Sequence, residues 1–115
     1  MKTNDDNGMY LKVVEAFENA ALVLSIPKWW TQDTCSRNKN NISVNVFDLD
    51  GCSFCAIGAL RAQSLNNKEL TIALNAFKEV TGFEITAFND TIGTTNKNVA
   101  VACWEAAQRI RANIK

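Results

Sequence analysis

Cys52-Ser53-Phe54-Cys55-Ala56-Ile57-Gly58-Ala59-Leu60-Arg61-Ala62-Gln63-Ser64 is the stretch on which the reading of the fold turns. Until Arg61 it is apolar almost all round, and its small residues let neighbouring elements come close. An element without a polar face belongs in the middle of a domain, so the run is predicted as a central buried helix over 52–64. Asp48-Leu49-Asp50-Gly51 just before it reads as a turn. The rest of the chain then has to supply amphipathic elements that cover this centre.

Upstream, Tyr10, Val13, Val14, Phe17, Ala20, Ala21 and Leu24 recur at three- and four-residue spacings and predict a first helix. Asp6 or Asn7 is the expected cap, and Pro27 stops the helix by disfavouring helical backbone in the preceding residue. Of Trp29 and Trp30, one is expected to close the end of the core and the other to stay partly exposed. Thr31 to Asn41 is polar and Asn-rich and reads as a surface loop. Ile42, Val44 and Val46 alternate with polar residues, which predicts a short strand or hairpin near 42–46 with no partner evident. Downstream, Asn66 or Asn67 caps a third helix with the stripe Leu70, Ala73, Leu74, Phe77 and Val80, closed by Gly82. The stretch Phe83 to Asp90 fits either a helical turn or a strand. Thr95 caps a last helix with Val99, Cys103, Ala106 and Ile110 on its buried line.

The chain has 115 residues, enough for one domain. Its 12 basic and 12 acidic residues cancel, which excludes the global basic field that drives nonspecific nucleic-acid binding. No apolar stretch is long enough to span a bilayer, and Met1 to Gly8 lacks the order of a signal peptide. A cytoplasmic location is therefore expected, with the four cysteines reduced. Histidine is absent, which removes the usual general base and the commonest metal ligand together.

Four ordered features resemble the domain-of-unknown-function family 6197 of bacteria and their phages. An amphipathic first helix ends near Trp30. A Cys-Ala-Leu-Gly-Ala-Leu run is matched by Cys55-Ala56-Ile57-Gly58-Ala59-Leu60, and a Trp-Asn-Asp step by Phe88-Asn89-Asp90. Thr95, with Val99 four residues on, matches a threonine-capped helix. The chain departs from the pattern at Phe88, where tryptophan is usual, and at Thr91-Ile92-Gly93, where a proline often follows. The resemblance implies a fold over about Tyr10 to Ile110 and no activity, cofactor or partner.

Several residues carry possible chemistry. Cys52 and Cys55 form a Cys-x-x-Cys, yet no thioredoxin-like pattern precedes it, and buried cysteine commonly packs as a small hydrophobe. Cys35, Cys52, Cys55 and Cys103 lack the spacing of a zinc site, so no metal is expected. Asp48 and Asp50 fall short of a calcium loop. A Cys55 nucleophile assisted by Asp90, Arg61 and the helix start is the sharpest enzyme hypothesis. Asn89 and Asp90 either line a pocket or bond to loop backbone, and the second use is commoner. Trp29 and Trp30, beside Lys28, are candidates for a protein contact. Arg109, Arg111 and Lys115 are the only candidates for nucleic acid, and a weak set.

The sequence thus predicts a mainly α, compact four-helix single domain over 9–115 behind a flexible polar N-terminus, 1–8. The expected role is a small intracellular binding or regulatory protein, of phage or mobile-element origin on the resemblance alone, with another protein as partner and no cofactor. Its binding candidates are Trp29, Trp30, Asn89 and Asp90. The alternative, a small hydrolase- or transferase-like enzyme using Cys55, Asn89 and Asp90, ranks behind it.

Overall fold

Two long helices frame the molecule. In the computed structural model, which describes residues 4–48 and 50–114, α1 spans Asn4–Leu24 and α5 spans Asn96–Arg111. The predicted stripes meet here: Val13, Val14, Phe17, Ala20 and Leu24 face Val99, Cys103, Ala106 and Ile110, all buried. The alanines in both stripes let the axes approach, and α1 with α5 is the most extensive packing in the fold. Each fully buried Phe or Leu here contributes about 2 kcal/mol of transfer free energy. Phe17 stacks near Phe77, and Phe88 meets Phe77 edge-on at 5.4 Å between ring centres. The first helix takes in Asn4 to Gly8, so Asp6 and Asn7 lie within it rather than capping it, and that part of the lead is helical.

Between these helices lie α2 (Ala56–Arg61), α3 (Asn67–Thr81) and α4 (Ile85–Asp90), with a 3-10 turn at Pro27–Trp29. The predicted caps are present. Asn66 and Glu69 form a capping box on α3, Thr95 and Asn98 form one on α5, and Gly82 closes α3 at φ 79°. Glu69 is buried but meets Lys12 at 3.1 Å.

The fold is mainly α with a short hairpin, and the described residues hold five α-helices rather than the four expected. The difference lies in the run that opened the sequence reading. Residues 52–64 are not one helix. Gly51–Phe54 is a strand, β2, paired antiparallel with β1 (Ser36–Asn38), with Ser36 opposite Phe54 and Arg37 opposite Ser53. Asn38 then faces Gly51, so Cys52 is the extra residue of a bulge. Only after Cys55 does the chain turn helical, and α2 is indeed buried through Ala56, Gly58, Ala59 and Leu60. A continuous apolar run carries no period that separates buried strand from buried helix.

The strand expected near 42–46 is displaced as well. Ser43 makes one bridge to Arg37, flanked by bonds from Asn38 N to Ile42 O and from Val44 N to Ser36 O, while β1 itself falls in the Asn-rich stretch read as a loop. On the far side of β2, Trp30 bridges Phe54 in parallel, and Thr31 N donates to Phe54 O at 3.0 Å.

Candidate functional site

Asn89 stands on α4 with its side chain fully buried, and every hydrogen-bonding position of its amide is used. Its Oδ1 accepts from Trp30 Nε1 at 2.8 Å and from Ala56 N at 3.0 Å. Its Nδ2 donates to Thr31 O at 3.1 Å and to Asp90 Oδ1 at 2.9 Å. Asp90 Oδ1 also accepts from Asp33 N at 2.9 Å, and Gln32 Nε2 donates to Asn89 O at 2.9 Å. One amide therefore ties α4 to the start of α2 and to the segment Trp30–Asp33. A buried amide this fully engaged has no donor or acceptor left for a substrate.

The tryptophan pair divides as its sequence position suggested. Trp30 packs on the core and reaches Asn89, whereas Trp29 is 39 % exposed with Lys28 Nζ 5.9 Å from its ring.

Cys55 is the N-cap residue of α2 and only 4 % exposed. Its Sγ accepts from Gly58 N at 3.3 Å, and its own N–H donates to Cys35 O at 3.1 Å. Burial, the largest influence, pushes its thiol up to about 11. A thiol held neutral there is a poor nucleophile at neutral pH. Among the described residues no hydrogen bond joins it to Asp90. Gly58 is dictated by close approach: a Cβ on it would stand 2.0 Å from Cys35 O.

The remaining candidates are scattered. Cys103 is buried within α5 and Cys52 is exposed on β2. Asp48 Oδ1 accepts from Asp50 N at 2.8 Å within its own turn. Among the described residues no three His, Cys, Asp or Glu side chains gather where they could hold a metal. Arg109 pairs with Glu79 at 2.8 Å and Arg111 with Glu18 at 3.0 Å, while Lys115 lies outside the described residues. No helix of the described residues is long and apolar enough to cross a membrane.

A second feature escaped the sequence reading. Between α1 and α5 lies an open groove of about 710 Å³ floored by Ala21, Leu22, Ala100, Val101 and Trp104. Leu22 is 70 % exposed, Val101 49 % and Trp104 50 %. Asn96 Nδ2 donates to Leu24 O at 3.0 Å, fixing the two helices at this end. The signal in the sequence is the spacing of Val101 and Trp104, three residues apart and off the buried stripe. Val101 also borders the neighbouring groove that includes the fully exposed Ile92, so apolar surface continues across α5. None of the groove's lining residues belongs to the Asn89 hub.

Fold and site together define a class: a small, mainly helical protein in which a buried amide anchors a short hairpin, with an apolar groove open between its terminal helices. The chain belongs to the Family of unknown function (DUF6197), which matches residues 9–109. No curated protein and no solved structure matches it. Among the residues that carried the resemblance, Trp30, Ala56, Asn89 and Asp90 meet at the hub. Trp30 and Asn89 bond to each other, Asn89 bonds to Ala56, and Gly58 lies against Cys35.

Proposed function

We propose that this protein is a non-enzymatic binding module whose docking face is the α1/α5 groove, occupied by an amphipathic helix of a partner protein. The observation that carries this reading is the exposure of Leu22, Val101 and Trp104 around one apolar trough. Apolar side chains grouped in this way are the usual mark of a binding surface. A helix laid into a groove presents anchors at three- and four-residue spacing, which suits a trough running between two helices. Charge at the rim narrows the partner. Glu18 is engaged by Arg111, whereas Lys97 has no acidic partner among the described residues, so the incoming helix carries a carboxylate beside its apolar stripe. This moves the protein contact from Trp29 and Trp30, and the binding role from Asn89 and Asp90, to the groove. The cytoplasmic setting and the phage-related origin remain part of the proposal, supported by the sequence features and the resemblance.

The test uses the full chain, isotope-labelled, titrated with two synthetic amphipathic helical peptides that share one leucine stripe and differ in Glu or Arg flanks. Amide shifts confined to Ala21, Leu22, Val101 and the Trp104 region are expected, with the Glu-flanked peptide binding up to about fivefold tighter, as for an exposed ion pair. Val101→Asp should weaken binding at least about tenfold, because it places a charge in the apolar floor, while leaving the circular dichroism unchanged. Shifts spread over other surfaces, or equal binding by the Val101→Asp chain, would overturn the proposal. So would concentration-dependent pairing of the chain through this same face.

A further inference from the structure

We propose that Cys35 and Cys55 are a redox pair that closes into a reversible disulfide, fastening the start of β1 to the cap of α2. The placement rests on the sheet register. Ser36 and Phe54 are opposite one another, and their carbonyls point away from the pair, Ser36 O to Val44 N and Phe54 O to Thr31 N. One step further along, Cys55 N donates to Cys35 O at 3.1 Å while Cys55 O accepts from Ala59 N of α2, so Cys35 and Cys55 face each other through a single bond just beyond the ladder. Residues opposite one another on antiparallel strands have Cα atoms about 4.5–5.5 Å apart, inside the range a disulfide spans. Cys35 is also among the neighbours that push the Cys55 thiol up, which fits two thiols close to one another. The partner of Cys55 is thus across the sheet, not the Cys52 of the Cys-x-x-Cys motif. Cys52 is exposed on the bulge, and its thiol donates to Asp50 O at 3.3 Å.

Exposure assigns the order of events. Cys35 is half-buried and Cys55 buried, so an oxidant of the peroxide class meets Cys35 first. The Cys35 thiolate attacks one peroxide oxygen. A sulfur–oxygen bond forms, the oxygen–oxygen bond breaks, and the departing hydroxide takes up a proton as water. Cys55, neutral and therefore slow to attack on its own, gives its proton to the departing hydroxyl as its sulfur attacks the adjacent sulfenic sulfur of Cys35. The sulfur–sulfur bond forms, the sulfur–oxygen bond breaks, and the hydroxyl leaves as water with the proton from Cys55. Two thiols and one hydrogen peroxide give one disulfide and two waters.

The experiment treats the folded full-length chain with hydrogen peroxide, quenches with an alkylating agent and measures intact mass and tryptic peptides. Cys52 and Cys55 fall within one tryptic peptide, 40–61, so the Cys52→Ser chain identifies which of them is linked. Wild type and Cys52→Ser should each lose two hydrogens and join peptide 29–37 to 40–61, with reversal by dithiothreitol. The Cys35→Ser chain should lose none. A link that disappears in Cys52→Ser would overturn the assignment. So would a wild-type chain, folded by circular dichroism, in which Cys35 advances to the sulfinic acid unlinked.

Discussion

Replacing Gly58 with alanine places a methyl carbon 2.0 Å from Cys35 O, 2.9 Å from its carbonyl carbon and 3.2 Å from its Cα. All three atoms are backbone, so no side chain can swing aside. Relief requires β1 to withdraw by about 1 Å or more, which stretches the bond from Cys55 N to Cys35 O beyond useful length. Losing that bond costs about 1 kcal/mol and overpacking a buried site about 1–3 kcal/mol. The better helix propensity of alanine returns about 1 kcal/mol, so the net loss is about 1–3 kcal/mol. Gly8 is the control, because it lies within α1 and a Cβ there meets nothing within 4 Å. Gly8→Ala should therefore stabilise by up to about 1 kcal/mol. Urea denaturation followed by circular dichroism, with a common slope, measures both. If Gly58→Ala unfolds at the wild-type midpoint, or shifts upward as Gly8→Ala does, the reasoning about close approach is wrong.

Asn89→Ala removes the acceptor shared by Trp30 Nε1 and Ala56 N and the donor to Thr31 O, and should destabilise by about 3 kcal/mol or more in the same assay. Asn89→Asp should not rescue it, since a carboxylate cannot donate to Thr31 O. Asn66→Ala breaks the α3 capping box and should cost about 1 kcal/mol, read from the denaturation midpoint. Burial pushes Cys55 up to about 11 and Cys103 up to about 12 from an ordinary 9.0. Above that ordinary value the unfolded chain sheds these protons while the folded chain keeps them. Stability present below pH 9.0 is therefore lost as pH rises toward 11 for Cys55 and 12 for Cys103, at roughly 1 kcal/mol per pH unit per thiol. Denaturation at about pH 8 and about pH 10 should show this fall, and a shallower one in Cys103→Ala.

The helices with a polar face were legible in the sequence, because the spacing of Val13, Val14 and Phe17, or of Val99, Cys103 and Ala106, reports which side is buried. The caps at Asn66 and Thr95 were legible for the same local reason. The run 52–64 was misread because burial on every side erases the pattern that tells strand from helix. Its pairing partner was hidden too: Ser36 is fully buried in β1 yet reads as polar in an Asn-rich stretch. Asn89 and Asp90 stood out as a polar step after apolar residues. Their partners come from positions 30–33 and 56, and only the tertiary fold brings these together. The groove was missed because Leu22, Val101 and Trp104 lie off the buried stripes, where single apolar residues ordinarily need no explanation.

A buried polar hub holds the fold, and the apolar groove is the face proposed to meet a partner. The most direct test of that division is photo-crosslinking in the native host, with benzoylphenylalanine replacing Trp104 in one chain and Phe47 in another. Phe47 is a still more exposed aromatic, beside Arg61 at the end of α2 and Asn67 and Leu70 on α3. One discrete adduct with another protein is expected through position 104, lost on adding Val101→Asp, and none through position 47. Adducts through position 47, or an adduct at 104 that survives Val101→Asp, would contradict that role of the groove.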